Sequence, residues 1–429
     1  MPKNKGVLIS ALVACALMTG CKDDKKETVS IEFMHSSVEQ ERQAIIGKLI
    51  QRFEKENPGI TVKQVPVEED AYNTKITTLA RSGALPEVIE ISHDYAKVMD
   101  KEQLLDRDAV QSVITTLGEN AFYDGILRIV RTEDAKAWTG VPISAWIQGV
   151  WYKKSVLEKS GLQPPHDWQS LLSVASKLND PQHKKYGIAL PTAESVITEQ
   201  AFSQFALSNN ANVFDSNGAI TLNTPQMAEA LTFYQSLAKE TMPGSNNVME
   251  IKDAFMNGAA PMAIYSTYIL PAVYSEGDPK DLGFVVPNQT SPAVYGMITS
   301  LTLTAGQTDV ETDAAKKFVV FMEHAQNAAD WVLMSPGAAL PVIRAVSGTA
   351  SYQDNPVIKA FGDLPAQLIA QYPNMQAFGS VGDKNFSRMG DITGSGALNA
   401  MVNSVTVGNR DVQATLVQSQ KRIEELATH

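Results

Sequence analysis

The first third of the chain switches between two hydrophobic periods. Residues 29–34 read as a strand. Over 40–57 the apolar positions recur three and four apart, with Ile45, Ile46, Leu49, Ile50 and Phe53 on one face, which predicts an amphipathic helix stopped by Pro58-Gly59. A strand at 60–67, a helix at 72–82 and a strand at 85–91 follow. This alternation predicts a mostly parallel sheet with helices on both faces. The pattern changes at 139–171. Gly140-Val141-Pro142 opens an apolar and aromatic run (Ile143, Trp146, Ile147, Val150, Trp151, Tyr152) that reads as a buried strand. A short helix after it stops at Gly161, and beyond Pro164-Pro165 a second helix starts from a cap at His166 or Asp167. Such a segment suits a connector that leaves one domain and founds another. Later elements are a strand at 185–191, a helix at 224–239 opened by Thr-Pro, a strand at 298–304, a helix at 313–323 and a long closing helix.

The N-terminus adds a separate theme. Lys3 and Lys5 precede an apolar run from Gly6 to Met18, shorter than the roughly 20 residues that span a bilayer. Residues 1–20 therefore read as a signal peptide. The ending Leu17-Met18-Thr19-Gly20-Cys21 looks like a bacterial lipobox, so Cys21 is expected to carry a lipid. Cys15 is lost with the leader, leaving Cys21 without a disulfide partner. Residues 21–28 then form a charged tether with nothing to bury. What remains, about 400 residues, exceeds a single core and suits two domains. Removing Lys3 and Lys5 takes the formal charge from −11 to −13. With no basic cluster interleaved with aromatics, that argues against nucleic acid as a partner.

The connector carries a resemblance. Gly140, Pro142, Tyr152, Lys154, Gly161, Leu162, Pro165, Trp168 and Leu171 match, in order, a pattern of the family 1 extracellular solute-binding proteins of ABC importers, the maltose-binding-protein-like group. Lys153 replaces the usual Asn, and Gln169-Ser170 the usual acidic residue. The stretches 53–62 (FEKENPGITV) and 82–89 (SGALPEVI) resemble two further signatures, the second with Glu87 for Asp. So do 254–268 (AFMNGAAPMAIYSTY), the helix with Ala315, Phe318 and Phe321, the turn at 337–342 and the segment 408–416. The resemblance implies a two-lobed α/β periplasmic-binding-protein fold, type II, each lobe a mixed sheet flanked by helices, with the ligand cleft between lobes. The expected division is 29–148 with 298–326 in the N-terminal lobe, and 149–297 with 327–429 in the C-terminal lobe. The implied activity is capture of a carbohydrate, most simply an oligosaccharide, by hinge closure, and its delivery to the transmembrane subunits of an ABC permease. The protein is expected as a monomer held to a membrane, in the periplasm or at the cell surface, without a cofactor.

Candidate site residues follow from the strands. In open α/β sheets ligands bind beyond the carboxyl ends of the strands, which singles out His35, Ser36 and Ser37 after the first strand and His93 and Asp94 after the third. Ser37 and Asp94 could instead serve only as helix caps. From the resemblance come Trp146 as a ligand platform, Tyr268 at a family Trp position, Tyr295, and Ser395 in the loop 390–396. Glu194 lies in a polar loop after the 185–191 strand, and Arg388 could pair with an anionic ligand such as a uronic acid or a sugar phosphate. Trp151 and Trp168 are expected in the core. The chain has no GxSxG, HExxH, CxxC pair or complete GxGxxG, and no metal centre is expected at His35 and His93. A carbohydrate-active enzyme or a sensor subunit is the alternative from another class.

Overall fold

The computed structural model describes residues 28–426; Cys21, the signal peptide and most of the tether lie outside the described residues. The alternating segment folds as expected: β1 (Val29–His35), α1 (Gln40–Glu56), β2 (Ile60–Pro66), α2 (Glu69–Ser82), β3 (Val88–Ser92) and α3 (His93–Lys101). β1 pairs in parallel with β2 and with β3. The helix α1 buries Ile46, Leu49, Ile50 and Phe53. Phe53 meets Phe318 edge-on at 5.2 Å, and Phe33 of β1 meets the same ring at 5.4 Å.

The connector is β4 (Val141–Lys153), thirteen residues and almost wholly buried. Its first half pairs antiparallel with β7 (Val294–Leu303), from Val141 opposite Leu301 to Ile147 opposite Gly296, with an irregularity between Pro142 and Ser144. β7 in turn closes on β3. Its second half pairs with β5 (Met262–Ser266) and β6 (Leu282–Val285). One strand thus belongs to the sheet of the first lobe and then to that of the second. Downstream, the helix Trp168–Leu178 starts from a capping box in which Asp167 accepts the Ser170 N–H at 2.7 Å; of the two expected caps, Asp167 is the one used. Trp151 and Trp168 are buried. The second lobe has its own core, in which Trp168 stacks on Phe233 at 4.5 Å and Phe202 meets Tyr234 at 5.7 Å. The helix Ala325–Val332 returns to the first lobe, where Trp331 packs on Phe33 and Asp330 pairs with Arg52, although residues from 327 onward were expected in the second lobe.

The expected strand at 185–191 does not form as one. Only Ala189 bridges to the sheet, at Ala263. The reason is local: the N–H groups of Gly187 and Ile188 both donate to the Glu240 carbonyl, so the chain leaves the ladder there. Gly187 is pressed against the helix before it, and a Cβ would come within 2.0 Å of the Ala175 carbonyl oxygen. Backbone on both sides leaves nowhere for a methyl to go. Gly187→Ala is expected to cost about 1–3 kcal/mol and to lower the thermal midpoint by several degrees; an unchanged midpoint by calorimetry would contradict this packing.

Candidate ligand-binding cleft

Between the lobes lies a cavity of about 310 Å³ with three walls. The first is α3. Ser92 ends β3 and His93 begins the helix, so the strand's carboxyl end delivers His93, Asp94, Tyr95 and Lys97 to the cavity. His93 is buried, and its Nδ1 accepts the Ile298 N–H at 3.1 Å. Burial, with Lys97 adding to it, lowers its pKa to about 3 against the pull of Asp94, so the ring is neutral. Lys97 is also buried; its Nζ donates to Asn385 Oδ1 at 3.3 Å. Desolvation lowers its pKa to about 8, with Asp94 opposing. Asp94 accepts the Tyr95 N–H at 2.8 Å.

The second wall is the helix Val196–Ser208 of the other lobe, which presents Glu199, Gln200 and Ser203. Glu199 is 6% exposed. Its Oε1 accepts the Thr393 hydroxyl at 2.6 Å, while Oε2 has no partner. Burial raises its pKa to about 7, with Asp94 adding to the rise and the Thr393 bond opposing it. Tyr295 of β7 stands beside it with the Gln200 side chain at its hydroxyl, and Trp146 packs on the Tyr295 ring at 5.8 Å. The third wall is the segment 377–394, contributing Phe378, Phe386, Ser387, Met389, Asp391 and Thr393. This segment holds both lobes. Asn385 donates to the Arg131 carbonyl at 2.9 Å and Ser387 Oγ to Glu133 at 2.8 Å on one side. On the other, Asn212 donates to the Ser380 carbonyl at 2.9 Å and Phe214 packs on Phe386 at 5.3 Å.

Of the expected site residues, His93, Asp94 and Tyr295 line this cavity, and Trp146 backs it. Ser36 and Tyr268 belong to a second group: Ser36 donates through N–H and hydroxyl to Glu90 Oε2 at 2.8 and 3.2 Å, and Tyr268 lies within electrostatic reach of Arg42, Glu90 and Glu69. His35 is a core residue, fully buried, bonded to Gln64 at 3.2 Å and packed on Phe33; burial lowers its pKa to about 4. Ser37 is buried and caps nothing, because α1 starts later, from Glu39. Nor is Asp94 a cap: the N-cap of α3 is Ser92. Glu194 is exposed and outside the cavity lining. Arg388 is engaged elsewhere, donating to the Gly218 carbonyl and lying over the Phe214 ring at 5.0 Å. Ser395 closes a helix end, donating to the Ile392 carbonyl at 2.6 Å.

The family model described as bacterial extracellular solute-binding protein matches residues 36–329. The chain belongs to this family. A relative in Escherichia coli (strain K12), which carries the provisional name ABC transporter periplasmic-binding protein YcjN, is 71% identical over 426 residues, covering 99% of each chain. The multiple sugar-binding protein of Streptococcus mutans is 23% identical over 335 residues, 74% of this chain and 77% of its own. Among solved structures, the sugar-binding protein MalE of Xanthomonas citri superposes with a TM-score of 0.76 at 18% identity, over 93% of this chain and 98% of that one. That likeness is one of fold: the two-lobed α/β architecture of MalE-like proteins. The chain is thus an extracellular solute-binding protein of the bacterial type. Among the described residues no helix is long and apolar enough to cross a membrane.

Glu199, Gln200 and Ser203 were not anticipated for this solute-binding protein, whereas Thr393 lies in the loop 390–396 that the resemblance places at the cleft. The signal for them is in the sequence: Glu199, Gln200 and Ser203, with Gln204, form a polar stripe on a helix that also carries Ala201, Phe202, Phe205 and Ala206, and the stripe is buried. A helix that buries its polar face needs a partner for that face. The raised pKa of Glu199 gives the cost a pH dependence. Below pH 4.5 the carboxyl is neutral folded and unfolded; between 4.5 and about 7 the unfolded chain ionises first, so stability falls as pH rises through that window. Glu199→Gln removes this titration. The variant is expected to match the wild type at pH 4.5 and to exceed it by on the order of 3 kcal/mol at pH 8. Thermal denaturation at both pH values checks this; a difference independent of pH would count against it.

Proposed function

We propose that this solute-binding protein captures a short carbohydrate or polyol in the interlobe cavity, closes its lobes on it, and presents both to an ABC permease from a lipid anchor at Cys21. The observation that carries this reading is the composition of the cavity wall. Polar groups of both lobes (His93, Asp94, Glu199, Gln200, Ser203) converge beside the aromatic rings of Tyr295, Phe378 and Phe386. A sugar offers a rim of hydroxyls and an apolar C–H face, and this wall has counterparts for both. The size of about 310 Å³ is at the lower end of small-molecule sites, roughly 300–1,000 Å³, which favours the shortest of the expected oligosaccharides. The sugar-binding names of the relatives support the same class. Binding without turnover is the function of the proposed receptor, so the work it does is conformational.

The test uses the chain from Lys22 onward, which contains every described residue. Mono- and disaccharides and C5–C6 polyols are screened by thermal shift, with small-angle scattering on those that bind. A true ligand at 100 times its Kd is expected to add about 2.7 kcal/mol, raising the midpoint by several degrees, and to shrink the radius of gyration. Stabilisation by none of them would overturn the carbohydrate assignment, and consumption of the ligand would favour an enzyme.

A further inference from the structure

We infer that Asp94 and Glu199, carboxylates delivered to one cavity by opposite lobes, select neutral polyhydroxylated ligands and exclude anionic sugar derivatives. The inference rests on the carbohydrate reading above and sharpens it. Asp94 comes from the first turn of α3 and Glu199 from the helix Val196–Ser208; both line the cavity, and the charge of Asp94 reaches Glu199. Both groups face the same cavity from opposite lobes. The ligand must therefore bring hydrogen-bond donors between them. The Oε2 atom of Glu199 has this requirement most sharply: it is buried, its sister oxygen is held by Thr393, and nothing in the protein donates to it. A sugar hydroxyl meets Glu199 in either protonation state, donating to the ionised group or accepting from the protonated one, whereas a carboxylate or phosphate can only accept and brings further negative charge beside Asp94 and the ionised fraction of Glu199.

The cations nearby do not reverse this. Lys97 is the single lysine or arginine among the residues lining the cavity. Its ammonium donates to Asn385 and lies in the field of Asp94, and Asp391 on the facing segment is paired with Lys101 at 3.7 Å. Arg388, the residue a uronate or sugar phosphate would need, is committed to Gly218 and Phe214. Arg107 is held by Asp100 through two bonds, of 2.6 and 2.7 Å. Thr393 is a positioning residue here, since its hydroxyl fixes one carboxylate oxygen and so aims the other.

The experiment compares matched pairs by titration calorimetry: D-glucose with D-glucuronate, D-galactose with D-galacturonate, D-mannitol with mannitol 1-phosphate, and maltose with maltose 1-phosphate. Wild-type protein is expected to bind at least one neutral member at least tenfold more tightly than its anionic partner. Glu199→Gln and Asp94→Asn, each checked for a cooperative thermal transition, are expected to weaken the neutral ligand and to narrow the neutral-to-anionic ratio at least fivefold. Thr393→Val is expected to weaken the neutral ligand without narrowing the ratio, because the carboxylate charge remains. If an anionic member binds more tightly than its neutral partner, the selectivity inference falls while the carbohydrate reading stands. An unchanged ratio in both carboxylate variants has the same consequence. If no member of any pair binds, the carbohydrate reading falls and takes this inference with it.

Discussion

The pairing of β4 is the constraint on which the two-lobed structure depends. A strand of thirteen residues cannot serve two sheets unless its partners change along its length, and the change falls between Ile147, the last residue paired with β7, and Gln148, the first paired with β5. Gln148 is buried, and its amide donates to the Gln200 carbonyl at 3.1 Å. The hand-over point of the sheet is thereby tied to the helix that lines the cavity. Trp146, one residue before the hand-over, packs on Tyr295 at the start of β7. On the proposed function, cleft and hinge are therefore one neighbourhood, where small rotations about the strand would displace the walls.

The segment 377–394 is the counterweight to that freedom. It is fixed to the first lobe through Asn385 and Ser387 and to the second through Ser380 and Phe386, with Thr393 reaching Glu199 at its far end. A ligand that satisfies Glu199 consequently acts on a carboxylate already bonded to the segment joining both lobes. This supplies the differential contact that a population shift between open and closed forms requires. None of these contacts is large by itself. Their effect lies in bridging the two lobes beside the cavity.

How much of this was readable beforehand depends on the kind of signal. The period changes in α1, β3 and β4 were legible because one face of each is apolar in a run long enough to be periodic, as in Ile46, Leu49, Ile50 and Phe53. The strand at 185–191 was misread because composition does not reveal that Gly187 and Ile188 would both donate to Glu240. In the site, His93 and Asp94 were found by the rule that ligands sit beyond strand ends. The same rule misplaced His35, whose strand runs further into the core, where Gln64 and Phe33 take the ring. Arg388 was chosen for its charge and Ser395 for the loop that the resemblance places at the cleft, and a nearby carbonyl took each donor. The helix of Glu199 drew no expectation, because Ala201, Phe202, Phe205 and Ala206 dilute its polar stripe and those residues do pack in the core.

That double character explains how a binding surface survives in a folded chain without its ligand. Burying a carboxyl group that lacks half its partners is unfavourable, and the least costly response is to hold a proton rather than a charge. Burial moves Glu199 to about 7, which keeps a large neutral fraction near neutral pH. A neutral carboxyl both donates and accepts, and so can meet a hydroxyl in either sense. An ionised one can only accept. The incomplete bonding of Glu199 thus costs the fold some stability and, on the proposed function, leaves an atom that a polyol hydroxyl would satisfy.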